Sequence, residues 1–154
     1  MSDPLPENPT QDIIWAVVGA YVDRFKSTLM CVQIVSGWPG DKLQKQAVCV
    51  SEIVAESREV PGFVGDTRVL VDEVYSVLFE VEVHGLATME ATQARVSEII
   101  GGLDSIVRED PRLGELGGLI SALFTTPFKR TCGLSNEGYQ GYAQLNLEVR
   151  TRLY

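Results

Sequence analysis

The chain has 154 residues, of which 45% are hydrophobic and 22% charged. That suits one domain with a real core and lies outside the composition of a disordered segment. A formal net charge of −8 argues against tight binding to a phosphate backbone, which depends on Lys and Arg neutralising phosphates, though an acidic surface can still let nucleic acid pass without sticking.

Apolar runs such as Ile13–Val18 and Leu119–Phe124 are far too short to span a bilayer, so no membrane role is expected. The acidic, Pro-rich start lacks the basic and apolar regions of a secretory signal, which leads to the expectation of a cytoplasmic setting. Cys31, Cys49 and Cys132 form no C-x-x-C pair, and His84 is the only histidine, too few for a Cys/His zinc framework. Reduced, partly buried thiols are expected.

Residues 1–10 carry three prolines, which oppose both helix and ladder, and read as a flexible tail ahead of a single α+β domain over 11–154. Thr10 can cap a first helix, with Asp12 in its first turn. Ile13, Ile14, Val17, Val18, Tyr21, Val22 and Phe25 then recur at helical spacing as far as about Leu29. The stripe is wide, as for a helix lying on a sheet. Met30–Val35 reads as a short strand that ends in the Ser36-Gly37-Trp38-Pro39-Gly40 turn. Trp38 has two readings, a cap on the core edge or an anchor for a partner. Ala47–Glu56 reads as a strand apolar enough on both sides to be covered on both faces. Ser57–Glu73 contains Pro61-Gly62 and Gly65-Asp66 and reads as a long loop or as a loop with an irregular hairpin tip. Its apolar residues, Phe63 and Val64 among them, suggest that it meets another chain.

Val74–Val107 is the centre of the pattern. Tyr75, Val77, Phe79, Val81 and Val83 alternate with Ser76, Leu78, Glu80, Glu82 and His84, the period of a strand with one buried and one wetter face. After Gly85 the period becomes helical: Met89, Gln93, Val96, Ile99, Ile100, Leu103, Ile106 and Val107 share a stripe. Thr88 is the expected N-cap, with Glu90 in the first turn. Gly101-Gly102 costs roughly 1 kcal/mol per Gly relative to Ala and marks either a kink or a close approach to the sheet. Asp110-Pro111 ends or restarts the helix, because a residue before Pro avoids the α region. Leu119–Thr126 returns to strand character, and Pro127–Gly138 reads as a second long loop, with Lys129 and Arg130. Tyr139–Tyr154 is the cleanest strand, with Ala143, Leu145, Leu147, Val149, Thr151 and Leu153 on one face. Its other face carries Glu148, Arg150 and Arg152, attractive cross-strand partners for Glu80 and Glu82.

No catalytic, cofactor or metal motif is present. There is no G-x-S-x-G elbow to use His84, and no Walker A or G-x-G-x-x-G among the glycine-rich stretches. Glu80 and Glu82 can in principle do acid–base work or hold a hard cation, but paired carboxylates on a strand face are more often solvated or salt-bridged. Lys129-Arg130 is too small for a nucleic-acid footprint.

The order of elements, with Val74–Val107 followed by Leu119–Tyr154 and the segment Asn136-Glu137-Gly138-Tyr139-Gln140-Gly141-Tyr142-Ala143-Gln144-Leu145-Asn146-Leu147-Glu148-Val149-Arg150, resembles the tail terminator family of long-tailed bacteriophages. The likeness is one of pattern and covers most of the chain from Gln11. It implies an α+β fold, a mainly antiparallel sheet with two principal helices packed on one face and long hairpin loops. It also implies a structural virion protein without catalysis or cofactor, assembled in the bacterial host cytoplasm. Such a protein forms a homo-oligomeric ring, a hexamer, on the finished tail tube. There it stops polymerisation of the major tail tube protein and offers a surface to the head-tail connector protein, while DNA passes through the lumen without specific binding. A ring needs heterologous contacts that close by rotation. Candidate interface residues are Trp38, Phe63, Val64, Glu80, Glu82, Lys129, Arg130, Arg150 and Arg152. Other phage neck or connector proteins are the nearest alternative, and a small-molecule-binding α+β domain with a pocket between helices and sheet is a more distant one.

Overall fold

The computed structural model describes the backbone of residues 9–37, 44–64, 68–136 and 138–153, and their side chains except at 9–12, 60–64, 68–70, 126–128 and 153. The elements are α1 (Pro9–Thr28), β1 (Gln33–Ser36), β2 (Gln46–Val64), β3 (Arg68–Leu86), α2 (Met89–Glu109), β4 (Leu119–Ser135) and β5 (Gly138–Leu153). The five strands form one sheet in the order β1-β2-β3-β5-β4. β1 runs parallel to β2, and all other neighbours are antiparallel. The fold is α+β, as the alternating and helical periods require.

β3 is the central strand. Its odd-numbered residues, Tyr75 to Val83, are buried, and they meet the buried Ala143, Leu145, Leu147 and Val149 of β5. The period-two expectation for both strands is borne out residue by residue over this length. Apolar side chains of both helices join these residues in a single core cluster. Phe79 lies at its middle, edge-on to Phe25 of α1 at 5.9 Å and to Phe124 of β4 at 5.6 Å between ring centroids. Edge-to-face rings are the favoured aromatic geometry and add about 0.5–1.5 kcal/mol per pair beyond their buried area.

α2 begins at its expected cap: Thr88 is extended, and its hydroxyl accepts from the Ala91 amide at 3.1 Å. The helix buries Thr92, Val96, Ile99, Ile100, Leu103 and Val107. Met89 and Gln93 are exposed instead, because the stripe turns onto Thr92 at the N-terminal end. There α2 rests on Gly141 of β5, where an added Cβ would stand 2.8 Å from Val96 and 2.9 Å from Thr92. Gly102 does mark a close approach, but to Leu29 at the end of α1 rather than to the sheet, with 2.6 Å between a built Cβ and the Leu29 side chain. α1 already includes Pro9, so Thr10 stands inside its first turn and not ahead of it.

Two expected loops are strands. Ser57–Glu73 continues β2 and β3 on both sides of 65–67, and Pro127–Gly138 continues β4 as far as Ser135. Each stretch contains a proline, which has no amide proton to give a ladder. The ladders instead step past both: the β2–β3 register shifts between Glu59 and Gly62, around Pro61, and the β4–β5 register shifts between Thr125 and Lys129, around Pro127. Bulges and edge strands are where a sheet tolerates a residue with no amide proton. β2 is buried from Ala47 to Val50, as a doubly covered strand should be, but from Ser51 to Glu59 only Ile53 is even partly buried. Past Val50 the β2 side of the hairpin is therefore an arm that leaves the core, while β3 stays paired with β5 as far as Val71.

Candidate interaction surface

The even-numbered face of β3 carries the first group of candidate residues. Glu80 pairs with Gln144 and Glu82 with Tyr142 across the β3–β5 ladder. One oxygen of Glu80 accepts from the Tyr142 hydroxyl at 2.5 Å and from the Gln144 side-chain amide at 3.3 Å. On the β2 side, Cys49 stands opposite Glu80 and Ala47 opposite Glu82, and both are buried. Burial, and then the hydrogen bond to Glu80, push the Tyr142 phenol up to about 12. Burial, followed by the nearby charges of Glu82 and Glu80, pushes the Cys49 thiol up to about 11, which keeps it protonated and weakly nucleophilic at neutral pH. Burial also raises Glu82, a rise that His84 opposes and Glu80 reinforces. His84 Nε2 lies 3.9 Å from Glu82 Oε2, an ion pair only when the ring is protonated, and makes no hydrogen bond. The patch is a half-buried set of acceptors already partnered by a phenol and an amide.

Arg150 and Arg152 lie at the other end of the ladder, opposite Val74 and Asp72, so they cannot reach Glu80 or Glu82 of their own chain. The cross-strand pairing expected for them is thus corrected by the register. Arg152 instead grips Asp72 with two bonds of 2.7 Å, and this lowers the Asp72 carboxyl below its ordinary value. A planar guanidinium meeting both carboxylate oxygens is the strong form of such a pair. Beside it, Glu73 is 3% exposed, accepts a hydrogen bond from the Tyr75 hydroxyl and has Arg58 Nε at 3.5 Å. Arg150 is exposed and bonds Glu148, two residues away on its own strand, at 2.9 Å.

Lys129 and Arg130 lie exposed on β4, the last strand of the sheet, and Arg130 donates to Ser97 of α2 at 3.1 Å. That bond crosses an open cleft of about 290 Å³ between α2 and the β4–β5 pair. Trp38 lies outside the described residues. Phe63 and Val64 are placed in β2 by their backbone, with side chains outside the description. The candidates therefore do not form one site: they divide among the β3–β5 face, the arm, the outer edge of β4 and its cleft.

Several residues of these surfaces escaped the sequence reading. Trp15 of α1 is 61% exposed and lines a shallow groove with Ser36, Gly37, Val50 and Ile53. Its place off the Ile14–Val17–Val18–Tyr21 stripe was the available signal. Tyr142, Gln144 and Asp72 became legible only through the register. Among the described residues, no group of three or more His, Cys, Asp or Glu is arranged to hold a metal ion. No helix of the described chain is long and apolar enough to cross a membrane. No protein-family model matches the chain, and neither does any curated protein.

Proposed function

We propose that this protein is a structural component of a long-tailed bacteriophage that forms a ring on the end of the tail tube, stops its polymerisation and offers the surface to which the head attaches. In this reading both helices cover the sheet face that carries Phe79, and the opposite face, with Glu80, Glu82 and Gln144, belongs to the interior of an assembly. The observation that carries it is the open strand edge that the sheet has at each side among the described residues, β4 on one and the outer part of β2 on the other. Such a subunit has a use for two different neighbours, which is what a closed ring of identical copies needs. The excess of acidic residues suits a lumen that conducts DNA without retaining it.

The reading as a small-molecule domain has weaker support. The cleft beside Arg130 is about 290 Å³, at the small end of the roughly 300–1,000 Å³ typical of ligand sites, and it is open. A neck or connector protein would share the ring habit, so the experiment addresses the tube. The purified protein is weighed by native mass spectrometry or light scattering, alone and with assembled tail tube protein, and the tubes are imaged. A ring, and tubes capped at one end, is the expected result. A protein that stays monomeric at all concentrations and never associates with tubes overturns the proposal. A ring that ignores tubes moves the protein to the neck.

A further inference from the structure

The two open edges of the sheet match one another. β1 covers β2 only from Ala47 to Val50, and beyond Val50 the outer edge of β2 has no strand neighbour among the described residues. Among the same residues, β4 has none on its outer side along Leu119–Ser135. Long open edges invite association, and natural sheets usually cover them or blunt them. Each edge carries an exposed apolar side chain at its centre, Val54 at 40% and Leu123 at 51% exposure.

These two residues stand at the same height on the same face. Val54 pairs with Ser76, Ser76 with Glu148, and Glu148 with Leu123. The same transfer across the sheet links Glu52 through Leu78 and Asn146 to Thr125, and Ser57 through Val74 and Arg150 to Ser121. On the core side it links Ile53 to Phe124 and Ala55 to Ala122. Lys129 lies one step further along, level with Gln144 and Glu80. The pairings also make β4 antiparallel to β2. A copy rotated about an axis along the strands therefore offers its β2 to the first copy's β4 in antiparallel sense.

We infer that the outer edge of β2, Ser51–Glu59, pairs with Leu119–Thr125 of β4 in a second copy of this chain, with Val54 opposite Leu123, so that one sheet continues from subunit to subunit. In this register apolar residues oppose apolar ones on both faces, and Ser57 opposes Ser121. Glu52 opposes Thr125 and stands diagonal to Lys129, about 7–8 Å away and within reach of a lysine. Charge also separates the two edges: Ser51–Glu59 holds Glu52, Glu56 and Glu59 against Arg58, whereas β4 holds Lys129 and Arg130 and no acid. The contact is heterologous, so it excludes pairing of like edges. It deepens the ring reading and rests on it for closure.

The test uses the full chain with Cys31 and Cys132 replaced by Ser, so that no described cysteine outside the core remains. Val54→Cys and Leu123→Cys are made separately and together, both at exposed positions, with the folded state checked by circular dichroism. Directly opposed antiparallel residues have Cα atoms about 4.5–5.5 Å apart, within the range a disulfide bridges. Under mild oxidation the two single variants mixed together give a cross-linked dimer, each alone gives none, and the double variant gives a ladder that ends at the ring. Val54→Cys mixed with Ser121→Cys, one step out of register, stays largely uncross-linked. As a second arm, Glu52→Lys and Lys129→Glu each weaken association roughly two- to fivefold, and the double reversal restores it. A ring seen by native mass with no Val54–Leu123 cross-link overturns this inference and leaves the ring standing. Self-cross-linking of either single variant also overturns it, because like edges then meet. A persistent monomer overturns both.

Discussion

Asp72 and Arg152 illustrate how one pair of side chains pins an arm to the body of the sheet. Both sit where the β2–β3 hairpin leaves the core, and their two short bonds join β3 to β5. The Asp72 carboxyl is lowered, first through that hydrogen bond. A lowered carboxylate contributes stability that is present above its unfolded value and is lost as pH falls through the folded one. Asp72→Asn is therefore expected to destabilise the protein at pH 7 by about 0.5–1 kcal/mol, a figure reduced for the partial exposure of both partners. The difference from wild type should shrink as pH falls through the lowered folded value and wild-type Asp72 takes up its own proton. Urea titrations of both proteins between pH 3 and 7 check this, and a constant difference across that range would assign the loss to packing. Glu73 is the contrasting neighbour: a buried carboxylate that accepts from the Tyr75 hydroxyl and has the exposed Arg58 beside it. Neither partnership was visible in the sequence, where Asp72 and Glu73 closed a stretch read as loop. A partner 80 positions away along the chain, as Arg152 is from Asp72, leaves no local trace.

At the scale of elements, what was legible is what repeats. β3 and β5 carry their buried faces in strict alternation, and α2 carries its cap and most of its stripe in order, so their existence and pairing could be read before any coordinates. The arm and the second half of β4 were not legible, because strands there no longer alternate over a core. Pro61 and Pro127 have no amide proton to give a ladder, and the ladders simply shift around them. Trp15 lies off the apolar stripe of α1, so the helical period does not mark it. The contact of α2 with the sheet is a narrower matter of one glycine. Gly141→Val would push two methyl-bearing side chains, Thr92 and Val96, out of a 2.8–2.9 Å approach and is expected to cost about 1–3 kcal/mol. Thr88→Ala removes the cap of the same helix and is expected to cost about 1 kcal/mol. Both act on how α2 seats on β5, so their sum in a double variant should fall short of additive, which thermal or urea denaturation measures.

For the whole molecule, the division between residues that hold the fold and residues free to meet a neighbour decides what mutations report. Arg152 belongs to the first group through Asp72, whereas Arg150 is exposed and, among the described residues, bonds Glu148 on its own strand. Arg150→Glu is expected to leave the midpoint of thermal unfolding of the dissociated protein within about 2 °C of wild type and to weaken assembly. Arg152→Glu is expected to lower that midpoint itself. Light scattering against concentration, beside calorimetry of the dilute protein, separates the two effects. If Arg150→Glu assembles like wild type, Arg150 plays no part in the contact between copies.

The sheet also sets a pattern of time. β3 lies between β2 and β5 along almost its whole length, so its amide protons point into ladders on both sides. Along β4, and along β2 past Val50, every second amide points away from the sheet. In deuterated buffer the isolated subunit should therefore exchange in two populations: β3 only through global unfolding, and alternate positions of Ser51–Glu59 and Leu119–Thr125 almost at once. If copies join along those edges, the fast positions slow by orders of magnitude on assembly while β3 hardly changes. The residues that fall silent would then trace the seam between subunits directly, one amide in two.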